Sequence, residues 1–209
     1  MAKIRRDQVV ESALELLNEL GLDALSTRRL AQKLGVESAT LYWHFRDKSV
    51  LLAEMAAAVL ARHHRLGVPA DTAHWSAWFA ENARSFRRAL LAYRDGARLH
   101  AGTTPGLNDI NVIKPKIAYL MRAGFTEQEA GMALFATSQF TIGCVLEEQT
   151  QREEGAGSSA APPSGETDIS QRKNSDTTIG PIDPEVAFEF GLGLIVDGLH
   201  HRAASCVRG

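Results

Sequence analysis

Apolar residues recur every three or four positions along most of this chain, the spacing that places them on one face of an α-helix. Five long stretches follow the pattern, at residues 5–20, 48–63, 74–92, 126–149 and 184–200. A shorter helix is predicted to end near His100, and a weaker one covers 110–123. Because Lys114 precedes Pro115, the weaker helix is expected to start at the proline or to be kinked there. The pattern predicts an all-α fold.

Local signals for helix ends agree with these boundaries. Gly21 follows the first stretch, where glycine readily ends a helix. Asp47 precedes the second stretch and is a predicted N-cap, and Asp95 is expected to cap the short helix. Thr126 and Glu129 have the spacing of a capping box at the start of the fourth stretch.

The stretch 26–48 contains two short helices separated by a glycine. The first is preceded by Ser26, a predicted N-cap, and is followed by Gly35. The second covers about 38–44, buries Leu41 and leaves most of its other residues facing outward. This is the shape of a helix-turn-helix, whose second helix enters a DNA major groove.

Basic residues dominate the same stretch. Its cations are Arg28, Arg29, Lys33, Arg46 and Lys48, against the carboxylates of Glu37 and Asp47. Such an excess neutralises DNA phosphates, and Arg28 matches the two acceptors on a guanine edge. A core helical pair with a solvated basic face would show the same pattern, so the residues alone leave both interpretations open.

Composition limits the class of protein. The 209 residues are enough for one large or two small domains, and 44% of them are hydrophobic. Since the net charge is −2, DNA affinity has to come from a local basic surface. Apolar runs are shorter than the ~18 residues of a membrane span, and the N-terminus lacks an apolar signal core. Cys144 and Cys206 have no metal-ligand spacing and no disulfide is expected, which predicts a reducing cytoplasm.

The C-terminal part of the chain consists of two apolar helical stretches separated by a polar stretch. The stretch 126–149 is apolar on more than one face, as is usual for a helix in a large core or a dimer interface. Residues 150–180 are rich in Gly, Ser, Pro and charge, and are expected to form a flexible loop. Asp183 restarts order as an N-cap before Pro184. Stretches 126–149 and 184–200 are expected to pair with their copies in a second chain as a four-helix bundle.

A candidate ligand site consists of six residues: His64, Asn82, Phe86, His100, Thr103 and Glu147. They come from five segments, so spacing alone does not bring them together. Each also has a structural interpretation: His64 as a satisfied core histidine, Glu147 as a solvated carboxylate, and His100 as a residue that interacts with a helix dipole.

The segment TRRLAQKLGVESATLYWHFRDK resembles the DNA-binding segment of the TetR family of transcriptional repressors, whose signature is L-Y-x-H-F/V-x-x-K. The segments RSFRRALLAYRDGARLHAGT and FTIGCVLEEQ look like the ligand-binding core of the tetracycline repressors in that family. The resemblance implies a helix-turn-helix domain at 1–47 and a ligand-binding and dimerisation domain at 48–209. It also implies a homodimeric repressor on a palindromic operator, released by a tetracycline–magnesium complex and controlling an antibiotic resistance or efflux gene.

The resemblance carries DNA contacts over to particular residues of this chain. The implied contacts are Thr27, Arg28, Ser38, Ala39, Thr40, Tyr42, Trp43, His44 and Lys48. The family's usual Gln-Pro at the start of the second helix is Ser38-Ala39 here. Glutamine bonds adenine bidentately and serine does not, so an altered preference is expected at the matching base pair.

The resemblance also assigns roles in the ligand site. His64 and Asn82 would hydrogen-bond the polar edge of the drug and Phe86 would pack on its rings. His100 would bind the drug-chelated Mg²⁺ directly, while Thr103 and Glu147, the latter from the partner subunit, would act through water. Further pocket positions are Pro105, Ile113, Lys116 and Ser138. One histidine plus held waters suits a metal that keeps most of its waters and arrives with its ligand, not a permanent cofactor.

Three departures from the family bear on the ligand. Thr104 stands where the family has an arginine, and Lys116 where it has a glutamine. Residues 165–180, which match the helix that closes the pocket, are polar and poor in leucine. These departures keep open a repressor of the same family that responds to another polycyclic or drug-like ligand without Mg²⁺.

Two alternatives come from other classes of protein. An enzyme would use His63, His64 and His100 as metal ligands or bases, but adjacent helical side chains point about 100° apart. An architectural DNA binder would show no sequence preference and no response to small molecules.

Overall fold

The computed structural model describes residues 4–103, 107–158 and 182–206, and every regular element within these ranges is a helix. The helices are α1 (Arg6–Leu20), α2 (Thr27–Leu34), α3 (Ser38–Tyr42), α4 (Lys48–His63), α5 (Trp75–Leu91), α6 (Gly96–Ala101), α7 (Leu107–Arg122), α8 (Glu127–Ser158) and α9 (Pro184–Cys206). The predicted all-α fold is confirmed.

Most helix ends lie where the local signals predicted them. The Ser26 hydroxyl accepts from the Arg29 N–H at 3.3 Å, and the Asp47 carboxylate accepts from the Val50 N–H at 3.1 Å. Gly35 has a φ of 65°, the left-handed conformation that a C-cap glycine supplies. The capping box and the second aspartate cap also form. Their members are Thr126 with Glu129, and Asp183 with the N–H groups of Glu185 and Val186.

Three boundaries differ from the prediction, and one of them is the end of α9, which continues to Cys206 instead of stopping near 200. Helix α7 continues through Pro115, so a start at the proline is wrong. Burial of Tyr119 and Leu120 in its second half outweighs the hydrogen bond that the proline cannot donate. Helix α8 continues to Ser158, so the predicted loop does not begin at 150. An ion pair between Arg94 and Glu153 at 3.2 Å holds part of this extension. The remaining predicted loop, 159–180, lies outside the described residues.

The protein has separate hydrophobic cores in its N-terminal and C-terminal parts. Helices α1 to α3 pack on α4 over the stretch from Leu51 to Val59, around fully buried side chains such as Leu14, Leu30 and Met55. Helix α5 packs on α7, α8 and α9, and buries Trp78 and Phe79 among them. Helix α4 therefore belongs to the N-terminal core at its start and reaches the C-terminal body at its end.

Side chains next to α6 tie the body to the first two helices at a second place. Asp95 is buried, adopts a left-handed φ of 56°, and accepts from the Leu22 N–H at 2.7 Å. Its predicted role as side-chain cap is wrong, because the carboxylate is engaged by Leu22 and by Arg98. Arg98 also pairs with Asp23 at 2.8 Å. Residues 94–98 and the turn between α1 and α2 thus form a direct contact, called here the α6 contact.

Helix α8 has a higher mean hydropathy than the length of its uninterrupted apolar runs indicated. By length and composition the segment Glu127–Glu153 is sufficient to cross a membrane, which the sequence analysis did not predict. Met132 and Phe135 lie exposed on it, and α9 exposes a stripe of apolar side chains four residues apart: Val186, Phe190 and Leu194. An exposed apolar surface of this kind marks a binding interface, and it lies on the two helices predicted to form the dimer.

Candidate DNA-binding and ligand-binding sites

Helix α3 turns its aromatic residues outward. Leu41 and Phe45 are buried in the N-terminal core, which forces the residues between them to the surface. Trp43 is 88% exposed and Tyr42 58% exposed. Of the other predicted DNA contacts, Arg28, Ala39 and Lys48 are exposed, and Thr27, Ser38, Thr40 and His44 are partly exposed. Side chains this apolar are costly to leave in water unless a partner covers them.

Several cations of this region already have partners within the chain. Lys33 pairs with Glu19 at 2.6 Å and with Glu15 at 3.3 Å, which raises its pKa. Lys48 donates to the Leu25 carbonyl at 2.8 Å. Because glutamates of α1 neutralise Lys33, the excess of positive charge available to DNA is smaller than the sequence predicted. The remaining exposed cations next to α3 include Arg28 and Arg46.

Replacing Trp43 by alanine is expected to weaken operator binding at least about tenfold, in the range typical of one lost DNA contact. The melting temperature should stay unchanged, because the side chain is almost fully exposed. Fluorescence anisotropy on a palindrome selected from random DNA measures the effect, with Met121→Ala on α7 as the control. Wild-type affinity of the Trp43→Ala protein would exclude α3 as the recognition helix.

His64, the C-cap of α4, is held at both ring nitrogens. Its Nδ1 lies 3.0 Å from the Ser85 hydroxyl, and its Nε2 lies 2.7 Å from the Lys116 ammonium. Burial, and then the charge of Lys116, lower the pKa of His64 to about 4. The imidazole is therefore neutral at pH 7. Burial also lowers the pKa of Lys116 to about 8.

Phe86 joins His64 to α6. Its ring lies 5.8 Å from that of His64 and 5.1 Å from that of His100, measured between centroids. Asn82 precedes Phe86 by one turn, and its buried Oδ1 has no hydrogen-bond partner among the described residues. The structure thus joins four predicted site residues into one group, called here the His64 cluster: His64, Phe86, His100 and Lys116.

The other predicted ligand residues are less closely connected. Thr103 donates to the His100 carbonyl at 2.8 Å, so both belong to the end of α6. Ser138 is half-buried on α8, Ile113 is exposed on α7, and Glu147 is exposed on α8. A role of these three at the ligand remains a prediction. Thr104, Pro105 and the whole 165–180 segment lie outside the described residues, as do all contacts that they make.

Two groups of residues at the site escaped the sequence analysis. Ser85 holds His64, and its position one turn after Asn82 on the same face of α5 would have pointed to it. Arg87 and Glu148 form a buried ion pair at 2.6 Å between α5 and α8. Glu147 and not Glu148 was selected, because the sequence does not reveal which of two adjacent glutamates faces inward.

The described residues offer a small set of metal donors. Within them, no three His, Cys, Asp or Glu side chains lie close enough to hold a metal ion. His63 packs on Tyr93, away from the Phe86 side to which His64 turns, so the two histidines do not converge. One imidazole, that of His100, with Thr103 hydrogen-bonded to its backbone carbonyl, is a donor set that fits Mg²⁺ which brings its own oxygen ligands.

These features define a class of protein, a helical DNA-binding regulator with a dimerisation surface on its C-terminal body. Residues 9–55 match the tetR family of bacterial regulatory proteins, and residues 68–203 match the tetracyclin repressor-like C-terminal domain. The chain belongs to the TetR family. Members of this family are DNA-binding transcriptional repressors, a non-enzymatic class, and they act as dimers.

Relatives match along nearly the whole chain. The class A tetracycline repressor of transposon 1721 from Escherichia coli is 46% identical over 97% of this chain and 93% of its own length. TetR(class A) in complex with 5a,6-anhydrotetracycline and magnesium has a TM-score of 0.75 at 41% identity, covering 95% of this chain and 99% of that one. A variant TetR from Acinetobacter baumannii AYE with minocycline has a TM-score of 0.78 at 36% identity, covering 96% and 98%.

Proposed function

We propose that this protein is a dimeric repressor that leaves its operator when a tetracycline–magnesium complex occupies the His64 cluster, and that it controls a resistance or efflux gene in the cytoplasm. The observation that carries the proposal is that the cluster includes His64 at the end of α4 and His100 on α6, and that both of these helices also contribute side chains to the N-terminal core. No catalytic step is assigned to any residue.

A ligand in the cluster would touch both routes to the DNA-binding helices. His64 ends α4, which is packed against α1 to α3 from Leu51 to Val59. His100 lies on α6, and the α6 contact joins Asp95 to the Leu22 N–H. Displacement of either helix therefore moves α3. The ligand acts by binding the conformation in which the two α3 helices of the dimer no longer fit one operator.

Mg²⁺ would neutralise charge on the chelating drug oxygens. His100 would bind it directly through a ring nitrogen. Thr103 of the same chain would hold one metal-bound water, and Glu147 of the partner subunit would hold another. The exposure of Glu147 in one protomer suits a residue that acts across the interface. Asn82 would donate or accept at the polar edge of the drug, since its Oδ1 has no partner among the described residues.

Titration with tetracycline, followed by drug fluorescence, tests the proposal. Tight binding in MgCl₂ that EDTA abolishes is expected, and the same drug concentrations should release operator DNA. Binding that is unchanged by EDTA would remove the metal from the proposal. Absence of binding and of operator release would remove the drug.

Replacing His100 by alanine is expected to weaken tetracycline binding in MgCl₂ by about tenfold or more, the scale on which loss of a metal-site residue acts. In EDTA the variant and the wild type should bind equally weakly. His63→Ala is the matched control, because this adjacent histidine packs on Tyr93 instead of the cluster. An equal loss in both variants would contradict a metal-binding role for His100.

A second candidate function keeps the repressor and changes the ligand. The Lys116 ammonium already occupies the Nε2 of His64, which would otherwise be available to a drug oxygen. This favours a polycyclic or drug-like ligand that binds without Mg²⁺. The EDTA arm of the titration separates the two candidates.

A further inference from the structure

Lys116 is a buried cation on α7. Lys116 is only 8% exposed, although a lysine amine is rarely buried away from water without a counter-charge. No ion pair joins it to any carboxylate of the described residues, and burial alone lowers its pKa to about 8. At pH 7 the amine is therefore still protonated. The hydrogen-bond partner described for it is a neutral imidazole, at 2.7 Å.

The direction of this hydrogen bond is fixed by the donors available. An ammonium has three N–H groups and accepts nothing, so Lys116 donates to the Nε2 of His64. The Nδ1 of His64 then carries the proton and donates to the Ser85 hydroxyl at 3.0 Å. His64 has no donor left for a ligand oxygen, whereas two N–H groups of Lys116 remain.

The surroundings of this pair are positive or neutral. Lys116, Arg88 and His100 all act to lower the pKa of His64, and no carboxylate raises it. The aromatic neighbour is Phe86, which contributes an apolar ring. The cluster therefore combines a flat apolar surface with an ammonium that lacks a carboxylate partner among the described residues.

We infer that Lys116 is the specificity-determining residue of the His64 cluster, and that it selects polycyclic ligands with a negatively charged oxygen over neutral ligands of the same shape. The inference rests on the proposed function, in which the cluster is the ligand site. A carboxylate or ionised enol supplies the missing counter-charge. A charge-assisted hydrogen bond in a site shielded from water is worth more than a neutral one.

The test uses a matched pair of tricyclic fluorescent probes, anthracene-2-carboxylate and anthracene-2-carboxamide, on the full dimer in EDTA at pH 7. The wild type should bind the acid at least about tenfold more tightly than the amide, as expected for a hydrogen bond between charged groups. Lys116→Met should bring the two affinities close together, and Lys116→Arg should restore the preference. In a separate arm without EDTA, tetracycline with MgCl₂ should displace the acid, which places both in one site.

Controls separate a charge effect from a loss of structure. Lys116→Met removes a buried charge and keeps a similar volume, so the variant should fold at least as stably as the wild type. Lys114→Met removes an exposed lysine two residues away on the same helix and should leave the acid preference unchanged.

The outcomes distinguish the inference from the function on which it rests. Equal wild-type affinity for acid and amide, or a preference that survives in Lys116→Met, would overturn the inference while tetracycline binding upholds the ligand site. An acid that tetracycline does not displace binds elsewhere and also overturns it. If neither the acid nor tetracycline binds the wild type, the proposed function fails and the inference fails with it.

Discussion

Replacing Phe190 by aspartate is expected to convert the dimer to monomers and to abolish operator binding. Phe190 is 70% exposed in the protomer and lies between Val186 and Leu194 in the apolar stripe of α9. A symmetric interface contains every substitution twice. With about 2 kcal/mol lost for each buried aromatic anchor, the dimer dissociation constant rises about a thousandfold.

Sedimentation velocity across a concentration series measures this change, and anisotropy on the selected palindrome measures its effect on DNA. Phe190→Leu is the control, since it keeps an apolar side chain at the same position and should remain dimeric. A Phe190→Asp protein that sediments as a dimer at the wild-type concentration would show that this stripe lies outside the interface.

Replacing Glu148 by alanine is expected to lower the free energy of unfolding by about 3 kcal/mol, because it leaves a buried guanidinium without its main counter-charge. Arg87 and Glu148 are 8% and 7% exposed in their side chains and lie 2.6 Å apart. Glu185 also pairs with Arg87, but its side chain is 59% exposed and compensates only in part. Urea denaturation of the dimer at fixed concentration measures the loss.

Glu147 provides a matched control at the next position. It is exposed, so Glu147→Ala should change the free energy of unfolding by less than about 0.5 kcal/mol. The same variant should weaken tetracycline binding in MgCl₂ if Glu147 holds a metal-bound water in the partner's site. The double variant Arg87→Met, Glu148→Leu should recover most of the lost stability. Equal destabilisation by the two single alanine variants would contradict the assignment of Glu148 as the buried member.

The sequence predicted helix ends well where the signal is local. Ser26, Gly35 and Asp47 act within three or four residues of themselves, and each behaves as its type requires. Asp95 has the same local signal, but its carboxylate accepts a hydrogen bond from the Leu22 N–H of the N-terminal core instead of capping α6. The end of α8 was missed because charged residues that are common in loops also pair along a helix, as Arg152 and Glu148 do.

The candidate site likewise contains residues that the sequence identified and a contact that only the tertiary structure determines. His64, Phe86 and His100 were selected through their resemblance to a known family, and the structure brings them together. The contact of Lys116 with His64 joins positions 52 residues apart, and no local pattern specifies it. The resemblance identified Lys116 as a pocket position and as a departure from the family, but it assigned no partner to its amine. The partner of Lys116 follows from the tertiary structure, in which α7 lies against the end of α4.

The close contact between α8 and α9 has a consequence for how two protomers meet. Phe140 and Phe188 stack with centroids 5.6 Å apart, and a Cβ at Gly191 would come within 2.5 Å of the Phe140 ring. The two helices are thus already locked together inside a single chain. Their exposed apolar face is therefore already formed in the single chain, so little backbone entropy is expected to be lost when a second copy docks. Dimer assembly should then resemble the docking of two finished surfaces, with a rate set by collision and orientation instead of by folding.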